Sequence, residues 1–532
     1  SDLKNIEFDN PKIKLNDGSR IIGNKFKRNN HIDIISKGVY SPCASRIKIA
    51  NFICPVWQLE GEKILHDNKN LFLYQKHSKM RVINTPVFYT PYIVTPSPLR
   101  KDRKSGFLTP SLALNFLDTK TSQSVSLPYY FNLAIDKELT FTPIINYGGG
   151  VDSSQRFIFD YNQILSGGRL STDLTFDSNL ERQNYNKWFS DASLITKFNK
   201  NINENYKLSI NSALETSKSY IQIVNPNDDL SYTNSLTSSV TLEGYNLNKI
   251  DDYLNINTKF YLTNQENEDN KTTPTVLPNI KYYSGNKIIK GNNVNNLYEF
   301  YNIFRDKHTE IHAKNQQKLS HTFRTSKEII KYKSKINFQS ETYNQFFETE
   351  SKLINNDQYH SGNYYRLFPI FGISIKTPFK LNDSNSFTIE PNSQIVLSPG
   401  LSNSNKLSNE DSSNNNFTIG NISSLNRFSG SDKMDNSKRV KYGINIYNDF
   451  WKFNLSQMYE FTDNSNFHIE SGNDDNLSDL LGLLEYNNND KSKISYNFRY
   501  DFDNSLLKKQ NIDFRSENKI GNYTISYLDE KS

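Results

Sequence analysis

The sequence predicts an all-β protein whose larger part is a large antiparallel β-barrel crossing a membrane, and three observations predict it. First, the chain is polar on average yet rich in rings: hydrophobic residues make up 35% of its 532 residues, while aromatics reach 13%, with 32 Tyr and 34 Phe. Disordered chains are polar but poor in aromatics, whereas strands with one wet and one apolar face combine both properties. Second, no run approaches the roughly 20 consecutive apolar residues that a spanning helix needs. In hydrocarbon every backbone N–H and C=O must pair internally, so a chain lacking such a run crosses only as a closed barrel. Third, from about residue 105 onward apolar and polar residues alternate in runs of roughly 9–11, the length of a tilted membrane strand.

Taken in order, residues 1–85 carry short apolar runs at 13–15, 32–35, 47–49, 56–59 and 71–74. They predict a small β-structure of stacked short strands folded outside the membrane. Residues 86–104 follow as a connector. Pro86, Pro91, Pro96 and Pro98 remove ladder donors and fix φ, and Arg100, Lys101, Arg103 and Lys104 make its end basic. Residues 105–532 are the barrel region. Ile494, Tyr496, Phe498, Tyr500 and Phe502 share one face of a strand, with Ser495, Asn497, Arg499 and Asp501 on the other. Asn, Asp, Ser and Gly clusters at 225–229, 382–386, 402–416 and 472–479 read as loops, the longest of them extracellular. One strand and one loop per roughly 20 residues gives on the order of 20 strands, within the range of outer-membrane barrels.

Charge and special residues exclude several classes. The 63 basic and 57 acidic residues, net +6, are spread along the chain and leave no nucleic-acid footprint. His66 and His77 follow the two cysteines, Cys43 and Cys54, but no ligand spacing supports a metal site. No nucleophile elbow, phosphate loop or meaningfully spaced carboxylate pair is present, so neither catalysis nor a cofactor is expected. Cys43 and Cys54 are open to several readings: two free thiols, or a direct bond that would stabilise by roughly 3 kcal/mol in the chain-entropy picture. No charged and apolar leader follows Ser1, so a signal peptide is expected to have been removed or to lie outside this sequence.

Four motifs add a resemblance. The first is Thr85-Pro86-Val87-Phe88-Tyr89-Thr90-Pro91-Tyr92, continuing through Arg100 and Arg103 to Lys104-Ser105-Gly106-Phe107-Leu108-Thr109-Pro110. The second is Tyr40-Ser41-Pro42-Cys43 with Cys54-Pro55-Val56-Trp57-Gln58-Leu59, and the third is Leu127-Pro128-Tyr129-Tyr130-Phe131-Asn132. The fourth is Asn426-Arg427-Phe428-Ser429-Gly430-Ser431-Asp432-Lys433. Taken in chain order they resemble the LptD family, which inserts lipopolysaccharide (LPS) into the outer leaflet of Gram-negative bacteria; Phe131 stands where the family has Trp.

The resemblance implies that residues 1–85 are the C-terminal part of a periplasmic β-jellyroll and that the barrel of 105–532 is partial, the chain being truncated at both ends. It implies LPS as cargo, a plug lipoprotein of the LptE type inside the barrel, and a periplasmic bridge protein of the LptA type. It places a lateral gate at Pro110 and Pro128, since a strand that cannot donate every ladder hydrogen bond pairs weakly; the plainer reading is that each proline starts or ends a strand. Cys43 and Cys54 would then bond to cysteines beyond this sequence. Arg100, Lys101, Arg103 and Lys104 would meet lipid phosphates, or form a solvated loop. Val56, Leu59, Ile64, Leu71 and Leu73 would line an acyl-chain groove, or serve as core. The alternative is a porin or nutrient-uptake barrel with an N-terminal plug, told apart by what fills the lumen. A β-solenoid predicts a fixed short repeat, which the sequence lacks.

Overall fold

The computed structural model describes every residue except 1–3, 15–18, 42–45, 50–51, 56, 83–84, 98–102, 109–110, 118–119, 149–153, 180–190, 226–227, 249, 266, 356–357, 382–386, 402, 414–416, 463–466, 468–470, 474, 489–491, 519–520 and 532. Strands dominate, and among the described residues the helical content is one short α-helix, Tyr220–Val224, and two 3-10 turns. The chain forms two bodies. One comprises Ser1–Asn201, Ser209–Ser238 and Asn264–Glu266; the other comprises Ile202–Leu208, Ser239–Thr263 and Asn267–Ser532.

The first body begins with an antiparallel sheet in which Asn5–Asp9, Lys25–Asn29, Ile32–Ser41, Trp57–Asp67, Phe72–Val82 and Thr85–Pro96 lie side by side. Alternating apolar residues on these strands bury one face. Ile21, Phe26, Ile35, Ile64 and Leu73 form one cluster, while Leu59, Met80 and Ile93 form a second; Tyr40 packs against both. Each such side chain contributes roughly 1.5–3 kcal/mol of transfer energy. Between the clusters the alternation slips by one residue on two neighbouring strands. Glu62 and Lys63 are both exposed between buried Gly61 and Ile64, and Lys76 and His77 are both exposed between buried Gln75 and Ser78. His77 adopts φ 46°, as does Lys37 at 48° on the strand beside Trp57–Asp67. The result is a crease across the sheet.

The proline-rich stretch differs from its expected role as a connector. Thr85–Pro96 is the last strand of this sheet, paired from Thr85↔Val82 to Pro96↔Phe72, with one irregularity between Pro86 and Phe88. Proline is tolerated in a strand that has a free edge, where a missing donor costs no ladder bond.

Beyond residue 137 the first body continues as an antiparallel meander of Lys137–Gly148, Ser154–Leu165, Gly168–Asn179 and Asp191–Asn201, each strand pairing with the next. Gly167, at φ 75°, closes the tight turn after Leu165.

In the second body, strands from Asn292–Phe304 to Gly521–Glu530 form another antiparallel meander. Tyr332 and Lys333, both at positive φ, make the two-residue turn between Asn315–Lys331 and Ser334–Asn355. The polarity of these strands is inverted relative to a soluble sheet. Gln316, Lys318, Ser320 and Thr322 are buried, while Leu319 on the same strand is 59% exposed and Phe323 is exposed beside it. On Gln358–Lys376, Arg366 is buried while Leu367 and Phe371 are 50% and 54% exposed.

What covers the polar face is residues 398–437, part of which the sequence places in an extracellular loop. The segment is irregular but packs inward: Leu407, Phe417, Ile422, Leu425, Phe428 and Met434 are all buried. Leu425 and Met434 join Tyr343, Phe368, Ile370 and Val396 of the strands in one cluster.

Candidate functional site

The seam at the first barrel strands is built from short, interrupted ladders. Gly106–Phe107 pairs with Tyr129 and Tyr130, and Ser111–Leu117 pairs along Lys120–Ser126. Lys120–Ser126 and Tyr129–Ala134 run along one neighbour, Lys137–Gly148, but their pairing lapses between Ser126↔Ile144 and Tyr129↔Phe141. Pro128 lies in this lapse. Its carbonyl accepts from Leu108 N at 2.9 Å, and Leu127 N donates to the carbonyl of Pro143 at 3.3 Å. A second proline, Pro143, faces the lapse from the neighbouring strand and has no N–H to return to Leu127. The sequence reading missed Pro143, although a proline within the alternating run 137–148 was visible as a signal. Pro110 lies outside the described residues.

Rings and polar groups brace the seam. Phe107 meets Tyr129 edge-on at 4.9 Å, and Tyr129 lies 4.6 Å from Phe131. Arg103 donates to Glu138 Oε2 at 2.8 Å, the same oxygen that accepts from Tyr130 at 3.0 Å, and Asn132 donates to the Arg103 carbonyl. The Lys104 ammonium sits 5.0 Å over the Phe72 ring. Of the four basic residues, these two are engaged with protein groups; Arg100 and Lys101 lie outside the described residues.

The structure separates the expected groove residues. Leu59 belongs to the Met80 and Ile93 cluster, and Ile64 and Leu73 belong to the other. Leu71 is only partly buried and sits at φ 54° in the turn before Phe72. Val56 and Cys43 lie outside the described residues, as does the side chain of Cys54.

The largest buried polar constellation among the described residues is one that spacing did not predict. Lys318, fully buried, lies 2.5 Å from Asp411 Oδ2 and 2.8 Å from Asp432 Oδ1. Asp432 also accepts from the Tyr301 hydroxyl at 2.9 Å and from the backbone N–H groups of Glu410 and Asp411. Arg305 grips Glu410 at 2.6 Å, and Arg366 donates to the carbonyls of Ser431 and Asp432. A second knot joins Arg427 to Asp435 at 2.6 Å and to Glu460 at 3.1 Å, with Arg439 on the same Asp435 at 2.9 Å.

Burial pushes the Glu410 carboxyl up, but His312 and Arg305 outweigh it and hold its pKa at about 2. Burial likewise opposes Lys318 at Asp411, and Lys318 wins, leaving Asp411 at about 2. Both groups are ionised and their charges are met, which fastens the segment 398–437 to the strands at the first knot, while the Arg427–Glu460 pair fastens it at the second. Residues 426–433 supply Arg427, Ser431 and Asp432, and the matching motif was the only sequence signal for this site.

The profile of the family LPS transport system D, LptD, matches residues 169–532. The LPS-assembly protein LptD of Shewanella sp. (strain ANA-3) is 36% identical over 111 residues, which are 21% of this chain and 14% of that protein. Its counterpart in Hahella chejuensis is 28% identical over 169 residues, 32% and 21% of the two chains. That of Shewanella denitrificans is 29% identical over 205 residues, 35% and 24%. The aligned regions thus span less than a quarter of these relatives. Among solved structures, CdiB from Acinetobacter baumannii is similar at a TM-score of 0.24 and 8% identity, covering 86% of this chain and 66% of that one.

Proposed function

The chain belongs to the family of LPS transport system D proteins, and from that premise we propose that it delivers LPS into the outer leaflet of the Gram-negative outer membrane. The observation that carries the proposal is the inverted polarity of the second body. Leu319, Phe346, Leu367 and Phe371 point outward, while Lys318, Gln345 and Arg366 point inward. Such a wall is stable where its outer face meets hydrocarbon and its inner face meets water or protein.

In this reading, residues 1–85 together with the strand to Pro96 form the end of a periplasmic jellyroll, and residues 105–532 form part of the barrel. Lipid arrives from a bridge protein of the LptA type, and a lipoprotein of the LptE type sits in the barrel. Acyl chains pass along the apolar interior of the N-terminal sheet, and the lipid leaves sideways at the seam around Pro110, Pro128 and Pro143. Opening there breaks few ladder bonds, each worth about 0.5–1.5 kcal/mol net. Nothing in this route makes or breaks a covalent bond, so the reading is of a transporter.

A photo-reactive residue at Phe107 or Leu127, in the full-length protein assembled with its lipoprotein, tests the route. Attachment of LPS that depends on cellular ATP supports lateral exit at this seam. Correct assembly with no attachment at either position overturns it and favours the porin reading.

A further inference from the structure

Asp252 stands just before the strand Tyr253–Thr263 in the second body, and only 2% of it is exposed. One carboxylate oxygen, Oδ2, accepts from the Tyr282 hydroxyl at 3.1 Å. The other, Oδ1, is enclosed and has no hydrogen-bond partner. Among the described residues no lysine, arginine or histidine forms an ion pair with Asp252, and Lys287 bears on the Tyr282 hydroxyl instead. A buried carboxylate whose one donor is a neutral hydroxyl is destabilising unless a cation meets it.

Other oxygens gather around the unmet one. Gly285, two residues past the neighbouring strand Thr275–Tyr283, has no side chain where two of them converge. A Cβ there would stand 3.2 Å from Asp252 Oδ1 and 3.0 Å from the Ile250 carbonyl oxygen. The Asn248 amide faces the same Tyr282 hydroxyl that Asp252 holds. The connection carrying these groups is shaped by its own bonds: Asn246 N donates to the Asp252 carbonyl at 3.0 Å, and Asp251 N donates to Asn246 Oδ1 at 2.9 Å. Ile250 is 83% exposed, and Asn246, Asn248 and Asp251 are exposed beside it, so only a thin loop separates the cluster from solvent. All of these donors are oxygens, with no His or Cys among them, which suits a hard cation that tolerates irregular geometry.

We propose that Asp252, with the Ile250 carbonyl and the Asn248 amide, forms a calcium site that joins the connection before Tyr253–Thr263 to the one after Thr275–Tyr283. The carboxylate supplies charge, the two neutral oxygens and water complete the shell, and Asp251 adds a second negative charge on the solvent side. With one buried carboxylate and several waters, binding falls at about 10⁻⁴–10⁻³ M, the range of weak extracellular sites. The site is independent of the lipid route. Its work is to fasten two connections at one end of the wall.

The test is a calcium titration of the full-length protein assembled with its lipoprotein, in detergent, begun from chelator-treated samples and followed by thermal melting. The variant is Asp252→Asn, which keeps an oxygen for Tyr282, removes the charge, and places an N–H beside the Ile250 carbonyl. Calcium at about ten times the dissociation constant is expected to raise the melting temperature of the parent protein by about 2 °C. It is also expected to slow proteolysis between residues 246 and 252, and to do neither in Asp252→Asn. In chelator the variant melts at the temperature of the parent or above it, because an unmet buried charge is gone. A calcium response of equal size in both proteins, as from bound lipid or surface carboxylates, overturns the site, and so does the absence of a response in the parent. A lower melting temperature of Asp252→Asn in chelator overturns it as well, since the carboxylate would then be met within the chain.

Discussion

Lys318 takes a full charge into the interior of the second body, and its two carboxylate partners both come from the segment 398–437. Removing one side of such a buried set leaves the other unpaired, at a cost of about 3–5 kcal/mol. Lys318→Met is therefore expected to lower the denaturant midpoint substantially and to open residues 398–437 to protease in detergent. Arg427→Met should act in the same way on the second knot, because Asp435 and Glu460 lose a shared partner. The pH dependence below about pH 4 follows from two of the carboxylates, whereas Asp432, pushed up to about 6 by burial, titrates above that window. Glu410 and Asp411 titrate at about 2 in the folded protein, against about 4 in an unfolded chain. Folded values below the unfolded ones mean that their stabilisation is complete above about pH 5 and is lost as pH falls from about 4 toward about 2. Protease accessibility of the segment, followed against pH, should rise in that window. A segment that stays protected at pH 2 would contradict this.

At the scale of elements, strands were legible where side chains alternate and illegible where pairing decides. The run from Ile494 to Phe502 shows its two faces in sequence because successive side chains of a strand point to opposite sides. The strand Thr85–Pro96 was hidden by its own prolines, which mark a breaker in sequence but are harmless at a free edge. Residues 398–437 were hidden for another reason. Their Asn and Ser content is that of a turn, and what buries them are partners far away in sequence, such as Arg305 for Glu410. The motif drew attention to Pro128 and not to Pro143, because the lapse in pairing beside them exists only in the register. The double variant Pro128→Ala with Pro143→Ala restores two donors. It is expected to tighten the seam, raise the melting temperature by a few degrees, and reduce LPS attachment at Phe107 or Leu127. Unchanged attachment in a stabilised variant would separate seam strength from transport.

For the molecule as a whole, the inverted polarity makes the lipid a structural component. A charge placed on the outward face should cost about 2–4 kcal/mol near the middle of a bilayer for Arg or Lys, and far less near its surface. Leu367→Arg is thus expected to destabilise the protein in vesicles of known thickness. Inward-facing Thr322→Asn, on a face that already holds Gln316 and Lys318, should cost considerably less. Unfolding titrations in vesicles compare the two directly, and equal costs would count against a membrane-facing outer surface.

The strand Ser334–Asn355 is 22 residues long. At about 3.3 Å per residue it measures roughly 70 Å, and even tilted by about 45° it rises some 50 Å, twice the roughly 25 Å of a barrel's apolar band. It pairs with its neighbour Gln358–Lys376 from Lys335↔Lys376 to Asn355↔Gln358, with irregularities after Thr349 and Leu353, and so outreaches the hydrocarbon. Part of this pair of strands must therefore stand in water beyond the apolar band, and reagents that cannot enter a bilayer should label exposed Tyr359 at one end of Gln358–Lys376 while sparing Leu367 and Phe371 in its middle.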